Sequence, residues 1–245
     1  MASFNAIISD TKSFKNSVEA IAALIDEGTF QIKKEGIKLR AMDPSQIALV
    51  DFMLPASAFE KYEVKEQVNI GVDFSELSKI TKRARPEDKI ELSLDQRLKI
   101  VFRSQMTREF NISIIEASST PPKEPNIEFS AEVKIQPEVI KEALKDAVLV
   151  SNHVAFKLDD VFSIKSDGDT GSVDIEFTDD TILSKNVKTP ARAVFSLDHL
   201  DNIFRAAEAP SVVILNLKTD APLKVEYAIG SGKVVYYLAP RIEKV

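Results

Sequence analysis

Few residues in this sequence have the types and spacing that chemistry needs. There are two histidines, His153 after the turn-like Ser151-Asn152 and His199 on a predicted helix, and neither lies in an HxH or HExxH spacing that would bind a metal. The acidic segment "DGDTGSVD" (Asp167–Asp174) lacks the glycine position and the final bidentate glutamate of a calcium-binding loop. We therefore interpret it as a polar hairpin turn.

Motifs for nucleophilic or phosphate chemistry are also missing. The chain has 7 glycines and no GxxxxGK, GxGxxG or GxSxG sequence, which argues against the usual phosphate loops and the nucleophile elbow. It has no cysteine, which excludes thiolate catalysis, disulfides and cysteine-based metal sites. The sequence favours a binding or scaffolding protein without a cofactor over an enzyme. An enzyme with an unrecognised carboxylate site is the weakest alternative.

The bulk composition is typical of a folded protein with two domains. The chain has 245 residues, of which 44% are hydrophobic and 29% are charged, and its formal net charge is −6. Each half is long enough to bury a core of its own. The first residues show no basic region followed by an apolar core, and no stretch approaches the ~20 apolar residues of a membrane span. We therefore expect neither a signal peptide nor a membrane partner.

The chain contains a long internal repeat. Phe74–Leu94 and Leu197–Leu217 lie 123 positions apart (74 to 197), and each reads as an amphipathic helix followed by an alternating strand. A second, weaker repeat relates Ser13–Ile32 to Val139–Leu158, which lie 126 positions apart (13 to 139). The repeat predicts a duplicated α+β domain with two helices on antiparallel sheets in each half. We place the domains at residues 1–116 and 128–245, joined by an extended proline-rich connector at residues 117–127.

Basic residues recur on all four predicted helices, although the chain as a whole is acidic. They are Lys12 and Lys15 on the first helix, Lys79, Lys82 and Arg83 on the second with Arg85 just beyond it, Lys141 and Lys145 on the third, and Arg205 on the fourth. An ordinary solvated face explains any single helix. The recurrence on equivalent helices favours a locally basic side that contacts phosphates without reading base sequence.

Three segments carry distinctive motifs: "EGIKLRAMDPSQIALVDFMLP" (Glu35–Pro55), "GVDFSELSKITKRA" (Gly71–Ala84) and "APLKVEYAIGSGKVVYYLAPRIE" (Ala221–Glu243). These segments resemble the DNA polymerase sliding clamp of the PCNA type. The Met-Asp-Pro-Ser and Leu-Ala-Pro-Arg-Ile motifs, in these relative positions, are highly specific to that family. The similarity spans nearly the whole chain, including its duplication and linker, and the compact length resembles archaeal members more than eukaryotic ones.

The resemblance implies a non-catalytic ring of three subunits, a homotrimer, through which double-stranded DNA passes. Each subunit has two clamp domains whose helices line the hole, while the sheets face outward. By position, the DNA-facing residues are Lys15, Lys79, Lys82, Arg83, Lys141, Lys145 and Arg205. The match departs at Asn16 and Ala22, where relatives often carry lysine, so we expect a less basic first helix. The edge strands that pair between subunits would carry Phe110, Ile112, Ile114, Val173, Ile175 and Phe177.

The resemblance also implies a groove for short peptides of DNA polymerase, the clamp loader, flap endonuclease and DNA ligase. By position, this pocket consists of Met42, Gln46, Ile47, Leu49, Pro125, Pro222, Tyr237, Leu238, Ala239 and Pro240. We expect Tyr237 to Pro240 to stay partly uncovered until a peptide binds. Pro122 and Glu124 stand where relatives place larger apolar residues, which puts the peptide preference in doubt.

Two alternatives remain open from the sequence. One is a clamp-fold scaffold that does not encircle DNA, and the other is one subunit of a heterotrimeric clamp. The expected location is the cytoplasm, in association with the nucleoid, for an archaeal protein, and the nucleus for a eukaryotic one.

Overall fold

The computed structural model describes residues 4–116 and 120–242, which form two compact units. The first unit consists of the described parts of residues 1–44, 50–123 and 229–234. The second consists of the described parts of residues 45–49, 124–228 and 235–245. Each unit therefore combines most of one half of the sequence with a short segment from the other half.

The first unit contains two sheets and two helices. Its elements, in chain order, are β1 (Phe4–Ile8), α1 (Thr11–Ala22), β2 (Glu27–Lys33), β3 (Gly36–Met42), β4 (Ala48–Pro55), a 3-10 turn (Ala56–Ala58), β5 (Lys61–Val64), β6 (Val68–Asp73), α2 (Phe74–Thr81), β7 (Lys89–Leu94), β8 (Arg97–Arg103) and β9 (Thr107–Ser113). One set of strands has the order β5-β1-β7-β8-β9 and the other has the order β4-β3-β2-β6. The neighbouring strands β5 and β1, β1 and β7, β7 and β8, β8 and β9, β3 and β2, and β2 and β6 pair in antiparallel orientation.

Apolar periodicity explains how these elements build the core of the first unit. Alternate residues of β1 are buried, as expected for a strand with one face on a core. On α1, Phe14, Val18 and Ile21 are buried at spacings of three and four residues, which gives the helix one apolar side. On α2, Phe74 and Leu77 are buried, and the Phe74 ring lies edge-on to Phe30 of β2 with 5.1 Å between centroids. The two helices therefore pack together on one side of the sheets.

The second unit repeats this plan. Its elements are β10 (Ala131–Ile135), α3 (Pro137–Val148), β11 (His153–Leu158), β12 (Phe162–Gly168), β13 (Gly171–Phe177), β14 (Ile182–Val187), β15 (Ala191–Ser196), α4 (Leu197–Phe204), β16 (Val213–Leu217), β17 (Leu223–Ile229) and β18 (Gly232–Leu238). The first residues of β18, 232–234, are grouped with the first unit, and the first residues of β4, 48–49, with the second. The strand orders are β14-β10-β16-β17-β18 and β13-β12-β11-β15. Phe156 lies at the centre of an aromatic core, edge-on to Phe162 and Phe195.

The two units match element for element. Helices α1 and α3 both have 12 residues, and helices α2 and α4 both have 8 residues. The starts of the two pairs are separated by 126 positions (11 to 137) and 123 positions (74 to 197), which are the shifts of the sequence repeat. The strand orders also match: β5-β1-β7-β8-β9 corresponds to β14-β10-β16-β17-β18, and β4-β3-β2-β6 corresponds to β13-β12-β11-β15. The predicted duplicated α+β fold is confirmed.

Each unit is closed by an isolated bridge near the end of its last strand. In the first unit, the Ile115 N–H donates to the Gly71 carbonyl over 3.0 Å; in the second, the Arg241 N–H donates to the Val194 carbonyl over 2.7 Å. A Cβ at Gly71 would lie 2.6 Å from the Ile115 oxygen, so this close approach requires glycine. Among the described helices, none is long and apolar enough to cross a membrane.

Candidate DNA-facing helices and partner-binding site

Two of the predicted DNA-facing residues of the first unit, Lys15 and Lys79, lie on well-capped helices. The Asp10 carboxylate accepts the Ser13 N–H at the start of α1 over 3.0 Å, and the Asp73 carboxylate accepts the Glu76 N–H at the start of α2 over 2.9 Å. These caps satisfy backbone donors that the helix itself leaves open. Lys79 lies on the exposed side of α2, and Lys15 is half-buried on α1.

Lys82 and Arg83 were predicted on the second helix, but α2 ends at Thr81, so they lie with Arg85 in the exposed segment that follows it. A buried carboxylate organises this segment: Asp88 accepts the Arg85 N–H over 2.6 Å and the Ser104 hydroxyl over 2.7 Å, and it pairs with the Arg108 guanidinium. Burial opposes ionisation of Asp88, but these donors together hold the pKa of its carboxyl below the ordinary value.

Arg108 connects the same segment to β9. Its Nη1 donates to the Arg83 carbonyl over 2.8 Å, and its guanidinium lies 5.1 Å from the centroid of the Phe102 ring. Sequence reasoning missed Arg108 and Asp88, because a single arginine on a strand and a single aspartate in a turn have no distinguishing pattern. Only the folded chain brings them together.

The predicted DNA-facing residues of the second unit contact other groups of the same unit. Lys141 and Lys145 lie on α3 as predicted, whereas Arg205, predicted on the fourth helix, follows the end of α4 at Phe204. The Lys141 ammonium donates to the Ala207 carbonyl over 2.6 Å and to the Arg205 carbonyl over 3.3 Å. Partial burial of Lys141 lowers the pKa of its ammonium. Lys145 pairs with Glu142 over 2.5 Å, and Arg205 contacts Asp201 over 3.4 Å and Asn202 over 2.5 Å.

The predicted partner-binding residues divide between the two units. Met42, half-buried at the end of β3, belongs to the first unit. The other nine belong to the second unit, where the Ala239 N–H donates to the Ile47 carbonyl over 2.9 Å. Ile47 is 38% exposed although it is a large apolar residue. Gln46 before it is exposed and has a left-handed φ of 59°, which turns the chain at this point.

The structure corrects one expectation about this pocket. We expected Tyr237 to Pro240 to stay partly uncovered, but Tyr237 is 5% exposed and Leu238 is fully buried. Leu49 is buried as well. The reason is core packing on both faces of β18 at its end: Tyr236, Tyr237 and Leu238 are buried in succession, so neither face is exposed there. The accessible apolar surface here comes from Ile47 together with three half-buried residues, Pro222, Ala239 and Pro240.

The connector is tied to the end of β18. The Tyr237 hydroxyl donates to a Glu124 carboxylate oxygen over 2.8 Å, and Pro125 beside it is half-buried. Glu124, which the resemblance led us to expect in place of a larger apolar residue, therefore has a polar partner in this chain. The sequence carried no signal for this hydrogen bond, because the two residues are separated by more than a hundred positions.

Five of the six predicted interface residues lie on strands at the ends of their sheets, and the sixth, Ile114, follows the end of β9 at Ser113. β9 ends one strand order of the first unit and β13 ends one of the second, within the described residues. Ile112 and Phe177 are buried in their own units, and Phe177 stacks on Phe162 with 4.7 Å between centroids. Ile114 is exposed, and the remaining three, Phe110, Val173 and Ile175, are half-buried.

Two other features that the sequence raised as possible chemical sites, His153 and the acidic segment from Asp167 to Asp174, are part of ordinary structural contacts. The Arg241 guanidinium contacts the His153 ring nitrogens over 2.7 and 2.9 Å, and burial followed by the Arg241 charge lowers the pKa of His153. Asp167 to Asp174 spans the hairpin between β12 and β13, as predicted. Within residues 4–116 and 120–242, no three His, Cys, Asp or Glu side chains are grouped to hold a metal.

Comparison with known proteins agrees with this architecture in both units. The model of the N-terminal domain of proliferating cell nuclear antigen (PCNA) matches residues 3–117, and the model of its C-terminal domain matches residues 123–242. A DNA polymerase sliding clamp of Methanococcus maripaludis (strain C7) is 38% identical over 244 residues, which cover 96% of this chain and 97% of that relative.

Solved structures show the same fold. PCNA from Thermococcus kodakaraensis superimposes with a TM-score of 0.93 at 27% identity, covering 97% of this chain and all of the other. The A. fulgidus PCNA bound to the C-terminal region of FEN-1 superimposes with a TM-score of 0.90 at 29% identity, covering 99% of this chain and all of the other. This chain belongs to the PCNA family of DNA polymerase sliding clamps.

Proposed function

We propose that this protein is a DNA sliding clamp, a processivity factor that encircles duplex DNA and tethers replication and repair enzymes to it. The observation that carries the proposal is the match of both clamp domains, in order, within one chain whose two units repeat the same fold. Tethering raises the local concentration of a bound enzyme at the template without chemistry by the tether itself. We infer that the protein has no catalysis of its own.

The duplication supports closure into a ring. When the matching strand orders of the two units are aligned, β9 of the first unit corresponds to β18 of the second, and β13 of the second corresponds to β4 of the first. Within the first unit, Gly232 of β18 lies against Met53 and Leu54 of β4; within the second, Ala239 hydrogen-bonds Ile47. By analogy, the uncovered edge of β9 on one chain pairs with β13 on the next, which generates a head-to-tail ring. We propose three identical chains, which together provide twelve helices.

A ring that is linked to DNA does not need to grip it. Long basic side chains on helices contact the phosphate backbone loosely and without reading sequence, so the ring can move along the duplex. The site of action is then chromosomal DNA, in the cytoplasm if the source is archaeal and in the nucleus if it is eukaryotic.

The partners we propose bind through short peptides at the surface formed by Ile47, Pro222, Ala239 and Pro240. A related PCNA is described with the C-terminal region of FEN-1 bound, which supports a flap endonuclease as one partner. DNA polymerase, DNA ligase and the clamp loader are further proposed partners of the same surface. An exposed isoleucine beside partly covered prolines is suited to an apolar plug on such a peptide.

Two measurements test the proposed function: the mass of the assembly in solution and its retention on circular DNA compared with cut DNA. Light scattering should give the mass of three 27.2-kDa chains. Clamps loaded with a clamp loader on nicked circular DNA should be retained in moderate salt and released when the circle is cut. A monomer, or release that does not depend on cutting, would contradict the ring and favour a scaffold that does not encircle DNA.

The peptide site is tested by separating binding from folding. Ile47→Ala should weaken binding of a flap-endonuclease C-terminal peptide in a calorimetric titration while the oligomer mass and melting temperature stay near wild type. Leu183→Ala, at another exposed apolar residue, is the matched control. Leu238→Ala should instead destabilise the fold by about 2–5 kcal/mol because it opens a cavity. Unchanged affinity for Ile47→Ala would place the peptide elsewhere.

A further inference from the structure

The helix pairs of the two units, α1 with α2 and α3 with α4, have opposite charge. From 74 to 85, covering α2 and the segment after it, there are four basic residues and one acidic residue. The equivalent stretch from 197 to 208, covering α4, has one basic residue and three acidic residues. Helix α1 has two basic residues and one acidic residue, whereas α3 has two basic and three acidic residues.

The contrast is sharpest at equivalent positions. A shift of 123 positions (74 to 197) places Lys79 on Asn202, Arg83 on Ala206 and Arg85 on Glu208. The only cation retained in the second stretch is Arg205, the equivalent of Lys82. Three of the four cations between residues 74 and 85 therefore have no basic residue at the equivalent position of the second stretch.

The basic residues of the two units also differ in their contacts: those of the first stretch are exposed and, in the part of the chain that the structure describes, without ion pairs, whereas those of the second unit are already bound to other groups. Within the described residues, no ion pair joins Lys79, Lys82, Arg83 or Arg85 to another side chain, and all four are exposed. In the second unit, Lys141 is bound to two carbonyls, Lys145 is paired with Glu142, and Arg205 is paired with Asp201. The carboxylates beside Lys145 and Arg205 repel a phosphate and so offset the attraction of these cations, while the carbonyl contacts hold the Lys141 ammonium within its own unit.

We infer that DNA backbone contact in this clamp is made by the α2 segment of the first unit, and that the helices of the second unit present an acidic surface with little affinity for phosphate. The inference rests on the proposed function and revises the expectation that Lys141, Lys145 and Arg205 bind DNA. Each chain then contributes one basic and one acidic helix pair, which limits the total attraction and keeps the contact loose.

Two matched double variants test the inference. Binding of the intact clamp to a short fluorescent duplex is measured by anisotropy at several low salt concentrations. Lys79→Gln with Lys82→Gln should lower the affinity and reduce the slope of log K against log salt by about 1.8, since each lost phosphate contact removes about 0.9. Lys145→Gln with Arg205→Gln removes the same charge and should leave the slope near wild type.

A third variant tests the acidic surface directly. Asp198→Asn with Asp201→Asn should raise the affinity for the duplex, because two repelling charges are removed and Arg205 is released from its partner. Equal slope losses in the first two double variants, or no gain in the third, would overturn the inference. Retention of the wild-type ring on closed circular DNA is measured in parallel, so a failure of the clamp function is seen separately from a failure of the charge assignment.

Discussion

The pair formed by Asp88 and Arg108 shows how one buried contact can position several exposed ones. The Asp88 side chain is fully buried, and that of Arg108 is 18% exposed. Their contact sets the path of the chain between α2 and β7, from which Lys82, Arg83 and Arg85 project. Removing one member leaves a charge in the interior without its partner, which is more destabilising than losing an exposed pair.

Replacing Arg108 should therefore reduce stability strongly. We expect Arg108→Met to lower the free energy of unfolding by about 3 kcal/mol in urea denaturation, because Asp88 stays buried without its cation. Arg103→Met is the matched control: its guanidinium pairs with Glu91 but is 52% exposed, so we expect a loss below about 1 kcal/mol. Similar losses in the two variants would mean that burial does not set the strength of the Asp88 contact.

The pH dependence of stability follows from the lowered pKa of Asp88. Because the folded-state pKa of this carboxyl lies below its unfolded value, its stabilisation is present above the unfolded pKa of about 3.9 and is lost as the pH falls through the folded pKa. Asp88→Asn should therefore be less stable at neutral pH and show a shallower loss of stability under acid than wild type. A parallel acid limb in both proteins would contradict this contribution.

The hydrogen bond between Tyr237 and Glu124 holds the connector beside the proposed peptide surface. Tyr237→Phe removes the donor, and we expect faster amide hydrogen exchange around residues 124–127 with a stability loss of about 1 kcal/mol. Tyr62→Phe, which removes a hydroxyl bond to the Lys33 carbonyl in the first unit, is the matched control and should leave exchange at the connector unchanged. Unaltered exchange in Tyr237→Phe would show that other contacts hold the connector.

The helices of the two units begin in different ways although they occupy equivalent places. Asp10 and Asp73 cap α1 and α2 through their side chains, whereas the equivalent Gln136 and Ser196 make no side-chain cap hydrogen bond at α3 and α4. Pro137 at the first turn of α3 presets the backbone there instead. The fold has therefore kept its geometry while the local means of starting each helix diverged.

This difference predicts unequal effects of the same substitution. Asp73→Ala should lower the free energy of unfolding by about 1 kcal/mol, because the Glu76 N–H loses its acceptor. Ser196→Ala, at the position equivalent to Asp73, should have a clearly smaller effect. Chemical denaturation of both variants measures the difference, and a larger loss in Ser196→Ala would show that the cap is not what stabilises α2.

The ring that we propose uses two strands that a single chain leaves at the ends of their sheets. β9 and β13 expose backbone donors and acceptors that favour pairing with another strand. Their half-buried apolar side chains, such as Phe110 and Ile175, and the exposed Ile114 just beyond β9 would gain from being covered by a neighbouring chain.

A charge on one of these strands should open the assembly without unfolding the chain. We expect Ile175→Lys to shift the light-scattering mass from a trimer to a monomer while the far-ultraviolet circular dichroism spectrum is retained. Leu183→Lys, on β14 and 51% exposed, introduces the same charge elsewhere and should leave the trimer intact. A trimer that survives Ile175→Lys would exclude β13 as an interface strand.

The duplication, the fold class and the family were predictable from the sequence, because periodicity along helices and strands and two local motifs are properties of neighbouring residues. The same information placed Lys79 and Lys141 correctly on helices, but it also placed Lys82, Arg83 and Arg205 there, which lie beyond the helix ends. It did not distinguish Lys79, which is exposed, from Lys141, which is bound to two carbonyls. It also grouped Leu238 with Ile47, although one is core and the other is surface. Burial, ion pairing and contacts such as Asp88 with Arg108 depend on residues far apart in the chain, and only folding brings those residues together.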